Sequence, residues 1–581
     1  MKRKLYSILS LLLVTVLLFS VASCAAAKDA NNAAPAPEGS ENLAPDDNNV
    51  TNNNNNTNND NNNDNNNDNN NDSNNDSNNS GNKENADETI PEMSPALPEG
   101  GEAMMPDAGI PSEPTVPGEP GEPSDPGNND YPDKFMENPF VNTEENNVST
   151  LSADVDTASY TYFRKLVNSG YDWDELMRYA ASSLRTEEFL NYFKYTAQRP
   201  GEGELFAVNS SIYPCPWNEQ TVLFSMTLQA ADAIPTGGNN LVFLIDVSGS
   251  MMSRDKLPLL KTAFSYLTDQ LDENDIISIV TYSGMEAVVL DGCTGNQKEV
   301  ILNAINSLNA SGSTNGEAGL QKAYQIAEKH RIEGGNNRII MASDGDLNVG
   351  ITSQEELKNF VSEKRDAGIF LSVLGFGTGN YRDAKMETLA DNGNGVYLYV
   401  DGESEAEKIF STDLLANLYT VGKDVKMQIT FDKTYVSSFR LIGYENRTLN
   451  EEDFTDDTKD AGEVGAGHQI TVCYELCLTE AAMTEDAMWL DFAVNYKLPD
   501  ESTSVIPNLY NIGYANYTAT PDADRAFMVA VMETCMLLHE SQYLPTDFDL
   551  DDILEQLNAL DLSDYPEREE FRDLLTKLNT K

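Results

Sequence analysis

Between Asn239 and about Thr420, short apolar runs alternate with amphipathic stretches, and this rhythm constrains the fold more than any other feature of the 581 residues. The apolar runs are LVFLIDV, DIISIVTYS, EAVVLDG, NRIIMASDG, FLSVLGFG and GVYLYVD. They are rich in β-branched residues and end in glycine or polar turns, as buried strands do. Between them KLPLLKTAFSYLTDQL, EAGLQKAYQIAEKH and SQEELKNFVSEKRDAG have helical spacing, the last opened by a capping box of Ser353 and Glu356. Strands apolar on both faces need a helical layer on each, which predicts an α/β fold with a Rossmann-like, doubly wound, mostly parallel sheet. The step from TYS to EAVVLDG is too short for a crossover and predicts one antiparallel edge strand.

Other patterns flank this unit. Over residues 148–238, TASYTYFRKLVNSG places Tyr160, Phe163 and Leu166 at helical spacing, and DWDELMRYAASSLRTEEFLNYFKY continues as helix. ELFAVNSSIYPC and TVLFSMTLQA then read as strands joined by a Pro-Trp-Asn turn. Over residues 421–581, strands DVKMQITFD, SSFRLIGYE, HQITVCYELCL and MWLDFAVNYKL precede helices in DADRAFMVAVMETCMLLHES and REEFRDLLTKLN. The expectation is a β-sandwich completed by strands from both flanks, with the 239–420 domain inserted into it. Phe189, Tyr192 and Phe193 share one helical face, which favours core packing over a carbohydrate-stacking surface.

The chain opens on MKRK, the apolar run LYSILSLLLVTVLLFS and the small-residue ending VASC. Residues 1–23 therefore read as a signal peptide, a plain transmembrane anchor being the alternative. Val21-Ala22-Ser23-Cys24 resembles a bacterial lipobox, in which the cysteine thiol carries a diacylglycerol. That resemblance implies lipidation at Cys24 and a membrane-held, extracytoplasmic protein. Residues 24–147 read as a disordered linker, Asn/Asp-rich and then Pro/Gly/Glu-rich, since such a composition buries almost nothing. Asp60, Asp64, Asp68, Asp72 and Asp76 recur every fourth residue, but an EF-type loop needs alternate oxygen ligands and a closing glutamate that DSNNSGNKENAD lacks.

With 95 Asp plus Glu against 38 Lys plus Arg, the net charge is -57, which makes nucleic acid a poor partner, because phosphate binding needs clustered cations, and no nucleic acid partner is expected. Beyond Cys24 lie Cys215, Cys293, Cys473, Cys477 and Cys535. Within one strand, Cys473 and Cys477 would stand about 13 Å apart and could not bridge each other. Buried free thiols are the expectation, with a bridge from Cys215 to either of them left open.

The chemistry gathers at DVSGS. In an open parallel sheet, the loops beyond the carboxyl ends of strands form the crevice where ligands bind. Asp246, Ser248 and Ser250 follow the first strand there, Asp344 follows NRIIMAS, and Thr314 opens a helix after SGS. Two carboxylates and three hydroxyls, without nitrogen or thiolate, suit a hard cation. Mg²⁺ fits best because it keeps several waters and takes octahedral oxygen ligands, with Mn²⁺ or Ca²⁺ as alternatives.

These three segments resemble the metal-ion-dependent adhesion site (MIDAS) of the von Willebrand factor A (VWA) family, with Asp246, Ser248 and Ser250 matching its first motif, Thr314 its second and Asp344 its third. The resemblance implies that the hydroxyls ligate the ion directly and a carboxylate acts through water. One position stays open for an Asp or Glu of a partner protein. ADVDTASYTYFRKLV, YPCPWN, GGNNRIIMASDGDLNVG, VLGFGTGNY, YENR and DFTDDTKDAGEVGAGH further resemble bacterial YfbK-like lipoproteins, in which the VWA domain lies between an N-terminal extension and a C-terminal region. A scaffold without an exchangeable ligand and a metal-dependent hydrolase are the rival readings. Against a hydrolase, His330, His468 and His539 stand in no HExxH motif, G-x-S-x-G is missing, and Ser253-Arg254-Asp255-Lys256 matches S-x-x-K without a KTG partner. The expectation is a binding protein, not an enzyme.

Overall fold

The structure, a computed structural model, describes residues 136–232, 237–313, 316–345, 354–377, 383–499, 501–505 and 509–580. Residues 1–23, expected to be a signal peptide, Cys24, the expected linker up to 135, Thr314 and Ser353 lie outside the described residues. Four described strands precede the α/β unit: β1 (Val141–Asn142), β2 (Val148–Ser152), β3 (Phe206–Pro214) and β4 (Val222–Ala230). Six build it: β5 (Asn239–Asp246), β6 (Ile276–Tyr282), β7 (Glu286–Thr294), β8 (Asn336–Ser343), β9 (Phe370–Phe376) and β10 (Tyr397–Val400). Seven follow: β11 (Thr420–Phe431), β12 (Val436–Ile442), β13 (Thr448–Leu449), β14 (Gly462–Gly465), β15 (Gln469–Leu478), β16 (Met488–Lys497) and β17 (Leu509–Gly513).

The α/β sheet runs β10-β9-β8-β5-β6-β7. Every pairing in it is parallel except β6 with β7, the expected antiparallel edge. Strand β5 is buried along its whole length. Leu241, Phe243 and Ile245 face one core with Leu260, Phe264 and Ile301, while Val242 and Leu244 face another with Leu320, Tyr324 and Phe163. This two-sided burial is why LVFLI is apolar at successive positions rather than alternate ones.

The remaining strands form two antiparallel sheets, β1-β12-β15-β4-β3 and β13-β2-β11-β16-β17, with β14 added to β11. β4 pairs with β15 and β2 with β11, so strands from both sides of the α/β unit complete one sandwich. Phe224, Met226, Met427, Ile429, Tyr474, Trp489 and Phe492 fill a common core. The N-terminal and C-terminal helices meet on one face of the α/β sheet, where Tyr160, Phe189, Tyr192 and Phe193 pack with Phe527 and Phe571. Phe189, Tyr192 and Phe193 are core, as expected, although the helix ends at Tyr192 and Phe193 is extended; Tyr195, off that spacing, is core as well. Buried Arg164 fixes this arrangement through Asp401 at 2.6 Å, Glu405 at 2.8 Å and Glu570 at 2.9 Å.

Two expectations need correction. The segment after Tyr171 is two helices, Trp173–Ser183 and Thr186–Tyr192, because Leu184 and Arg185 are extended. That break buries Leu184 and points Arg185 at Glu188 and Glu387, 2.7 and 2.5 Å away. The linker reading to residue 147 also runs too far. β1 pairs with β12, and Thr143 is buried with its hydroxyl donating to the Val436 carbonyl at 2.7 Å.

Cys215, Cys293, Cys473 and Cys535 are buried free thiols and Cys477 is a half-buried one, so among the described residues Cys215 bridges neither Cys473 nor Cys477. Glu533, on the buried helix Ala523–Leu538, accepts from Gln556 at 2.7 Å while its second oxygen has no partner among the described residues. Burial pushes its carboxyl up to about 8. The folded chain thus keeps a proton that the unfolded chain loses near pH ~4.3. This contribution to stability is fully present below the unfolded value and is lost as pH rises through about 8. Glu533→Gln is expected to raise Tm over the parent by about 3 °C near pH ~9, with the gap closing near pH ~5, in paired calorimetric scans. A gap that does not change with pH contradicts this assignment.

Candidate metal centre

Parallel pairing of β5 with β8, Ile245 opposite Ala342, brings the ends of both strands to the same edge of the sheet. Asp246 is fully buried there, and Asp344 is only 3% exposed. Asp246 Oδ1 accepts from the Ser248 amide at 2.8 Å, and its Oδ2 accepts from the Ser343 hydroxyl at 3.4 Å. The turn after β5 is therefore wound around the carboxylate, which sets where Ser248 and Ser250 point. Burial pushes the Asp246 carboxyl up to about 6, with the Asp344 carboxylate adding to the rise and the Ser248 and Ser343 donors opposing it.

The Ser248 and Ser250 hydroxyl oxygens stand 3.0 Å apart. The two hydroxyls share a hydrogen bond, and an oxygen spacing of about 3.0 Å is also that of neighbouring ligands around a small hard cation. Two buried carboxylates beside two hydroxyls make an all-oxygen donor set that fits a hard divalent ion. Only Asp246 and Asp344 are acidic in it, and among the described residues no three or more His, Cys, Asp or Glu side chains are grouped to hold a metal.

Thr314 itself lies outside the described residues, but the chain leading to it is tied to the first loop. The Gly249 amide donates to the Gly312 carbonyl at 3.0 Å, and the Ser311 amide donates to the Val247 carbonyl at 2.7 Å. Gly312 has φ +86, a conformation that favours glycine and explains the SGS spelling of the loop. The structure thus brings together Asp246, Ser248, Ser250 and Asp344 from two strand ends, with the approach to Thr314 bonded alongside.

Two residues were missed as parts of this site. Ser343 holds Asp246, and Lys256 places its ammonium 2.8 Å from Asp344 Oδ2. In the sequence Lys256 stands out only as part of S-x-x-K, yet the Ser253 hydroxyl donates to Asp255 at 2.6 Å, so the serine and the lysine are engaged with different acids. Exposed Met252 and Met285 stand beside the loops: Met252 follows the DVSGS turn, and Met285 adjoins Gly284, which approaches Ser313.

The three histidines are engaged elsewhere. His330 meets Asp291 at 2.7 Å, His468 accepts from the Gly465 amide at 3.2 Å, and His539 contacts the Ala180 carbonyl at 3.1 Å. Burial drives His468 down to about 3 and His539 to about 4, so both are neutral. A cavity of about 190 Å³ lies apart from the metal loops, at the seam of the α/β unit and the sandwich, lined by Asp154, Asp156, Asp391, Arg447 and Glu463.

The fold and these loops define a VWA-domain protein, a class that generally mediates protein–protein interaction: the von Willebrand factor type A domain family matches residues 240–412, and a von Willebrand factor family matches 126–225. The family described as uncharacterized protein YfbK, C-terminal, matches residues 416–580. The uncharacterized protein YfbK of Escherichia coli K12 is 38% identical over 438 residues, 71% of this chain and 74% of its own. The chain belongs to the YfbK family. Human inter-alpha-trypsin inhibitor heavy chain H3 is 26% identical over 269 residues, 43% of this chain and 30% of that one. Among solved structures, a von Willebrand factor type A protein from Catenulispora acidiphila aligns over 67% of this chain and 89% of its own, at 15% identity and a TM-score of 0.38.

Proposed function

We propose that this chain is an extracytoplasmic lipoprotein, anchored to a bacterial membrane through Cys24, that captures a protein ligand through a divalent cation. The ion, Mg²⁺ with Mn²⁺ or Ca²⁺ as alternatives, would be held by Asp246, Ser248, Ser250, Thr314 and Asp344. The observation that carries this reading is the pair of serine hydroxyls 3.0 Å apart beside two buried carboxylates. The bound ion would supply an electrophilic position for an Asp or Glu carboxylate of the partner. The chain's own residues orient the donors: the Ser248 amide and Ser343 fix Asp246, and the Gly249–Gly312 bond aligns the loops.

Exposed Met252 and Met285 give the rim an apolar, adaptable contact for the residues around such a carboxylate. The net charge of -57 disfavours an acidic ligand at long range. Screening confines that repulsion to about 8 Å at physiological salt, so the ion's own charge governs the encounter at contact. Recognition rather than catalysis is supported by the engagement of all three histidines and of Ser253 elsewhere.

The anchor is tested by Cys24→Ser expressed in a bacterial host with metabolic lipid labelling. Loss of label and release from the membrane fraction is expected, whereas full labelling of the variant refutes the Cys24 assignment. The capture mode is tested by cross-linking on cells with and without a chelator. A partner recovered equally in both conditions contradicts a metal-mediated contact.

A further inference from the structure

The acid of the third motif is not alone in the fold. Lys256 Nζ lies 2.8 Å from Asp344 Oδ2, with the lysine side chain 13% and the aspartate side chain 1% exposed. This is no loose surface pair, because the lysine stem is held in place. A Cβ built on Gly377 would come within 2.2 Å of Lys256 Cε and 2.8 Å of its Cγ, so the stem lies directly on the glycine backbone. Gly377 has φ +74 and its carbonyl accepts from the Tyr399 hydroxyl at 2.6 Å, which fixes the surface under the lysine. The neighbouring Asp255 is taken by Lys165 at 3.0 Å and by the Ser253 hydroxyl, and so does not draw Lys256 away.

We propose that Lys256 is a built-in cation of the metal centre: its ammonium neutralises Asp344 and competes with a divalent ion for that carboxylate, setting the affinity of the site. This rests on the metal-binding reading of Asp246, Ser248, Ser250, Thr314 and Asp344 and adds how tightly the site holds its ion. Two cations beside one carboxylate in a poorly solvated crevice repel each other, so the ion either displaces the ammonium or binds against its charge. A consequence is that the site responds to changes in free divalent ion instead of holding one permanently. With the ion absent, Lys256 keeps Asp344 from facing buried Asp246 uncompensated, which is costly for paired like charges.

The test uses Mg²⁺ and Mn²⁺ alone as probes, titrated calorimetrically into the full chain after chelation, comparing the parent with Lys256→Met and Lys256→Arg. Removing the charge should lower Kd at least about tenfold, while the arginine variant, which keeps the charge, should stay near the parent. Thermal unfolding gives a second readout: in EDTA Lys256→Met should melt below the parent, and saturating Mg²⁺ should raise its Tm by more than it raises the parent's. Unchanged or weaker binding by Lys256→Met, with the parent binding normally, overturns the competition and leaves the metal site standing. Binding by Lys256→Met but not by the parent upholds the competition while refuting a metal-dependent parent. No binding by either overturns both.

Discussion

Replacing Asp246 by Asn or Ala is expected to leave a folded protein that no longer binds Mg²⁺ at useful concentrations. Asp246 is fully buried, and burial with a neighbouring carboxylate pushes its carboxyl up to about 6. Its charge therefore costs the fold free energy, and its removal forfeits chiefly the hydrogen bond to the Ser248 amide, worth about 1 kcal/mol. The effect on the ion is larger. Asp246 supplies negative charge to the crevice and, through Oδ1, sets the turn carrying Ser248 and Ser250. Loss of a residue that orients metal ligands typically costs about 10–100-fold in affinity, and here the charge is lost as well, so at least about a 100-fold rise in Kd is expected for Asp246→Ala. Calorimetric titration of Mg²⁺ reads this directly, with circular dichroism confirming the fold. Parent-like affinity in the variant removes Asp246 from the site.

The second large effect lies at the seam. Arg447 stands within 3.0 Å of Asp391, 3.2 Å of Glu387, 3.5 Å of Asp154 and 3.7 Å of Asp156. Asp391 and Glu387 belong to the helix Asp383–Asn392 of the α/β unit, whereas Asp154 and Asp156 follow β2 of the sandwich. One guanidinium thus holds four acids from two layers. Burial pushes Asp154 and Asp391 up to about 6 even with the arginine opposing it. Arg447→Met is expected to destabilise the chain by about 3–5 kcal/mol near pH ~8, because it leaves several buried carboxylates without a counter-charge.

The sign of the pH dependence follows from the same groups. Without Arg447 the carboxyls rise further, and protonation as pH falls through their folded values relieves the repulsion, so part of the loss is recovered near pH ~5. Denaturant unfolding at both pH values measures it. A loss below about 1 kcal/mol at the higher pH would show the network to be an ordinary surface pairing.

The α/β core was legible because its signal is local. Leu241 to Ile245 are buried on both faces, and such a run reads as a strand with no knowledge of its neighbours. Insertion into a sandwich was readable for the same reason, since β4, β11, β15 and β16 are long and apolar. Strands β1, β2 and β13 were not, because VN, VSTLS and TL owe their extended state to partners hundreds of residues away, such as Thr430 for Val148 and Phe439 for Val141. The short helices Lys298–Ser307, Asp383–Asn392 and Leu550–Asn558 were also missed, each framed by strong strands or longer helices that drew the pattern.

At the candidate site, the motif letters gave Asp246, Ser248, Ser250 and Asp344, and the fold puts them at adjacent strand ends. Lys256 and Ser343 could not be assigned from spacing. Lys256 meets an acid 88 positions away, and a lysine opening a helix ordinarily reads as solvated. Ser343 is one of many serines until β8 is placed beside β5.

The most direct measurement is an anomalous difference map of the protein crystallised with Mn²⁺. A single strong peak is expected in the crevice beyond β5 and β8, touching the Ser248 and Ser250 hydroxyls, with Thr314 and Asp344 facing it. A map in which those loops carry no peak, while Mn²⁺ collects at surface acids only, would contradict the account.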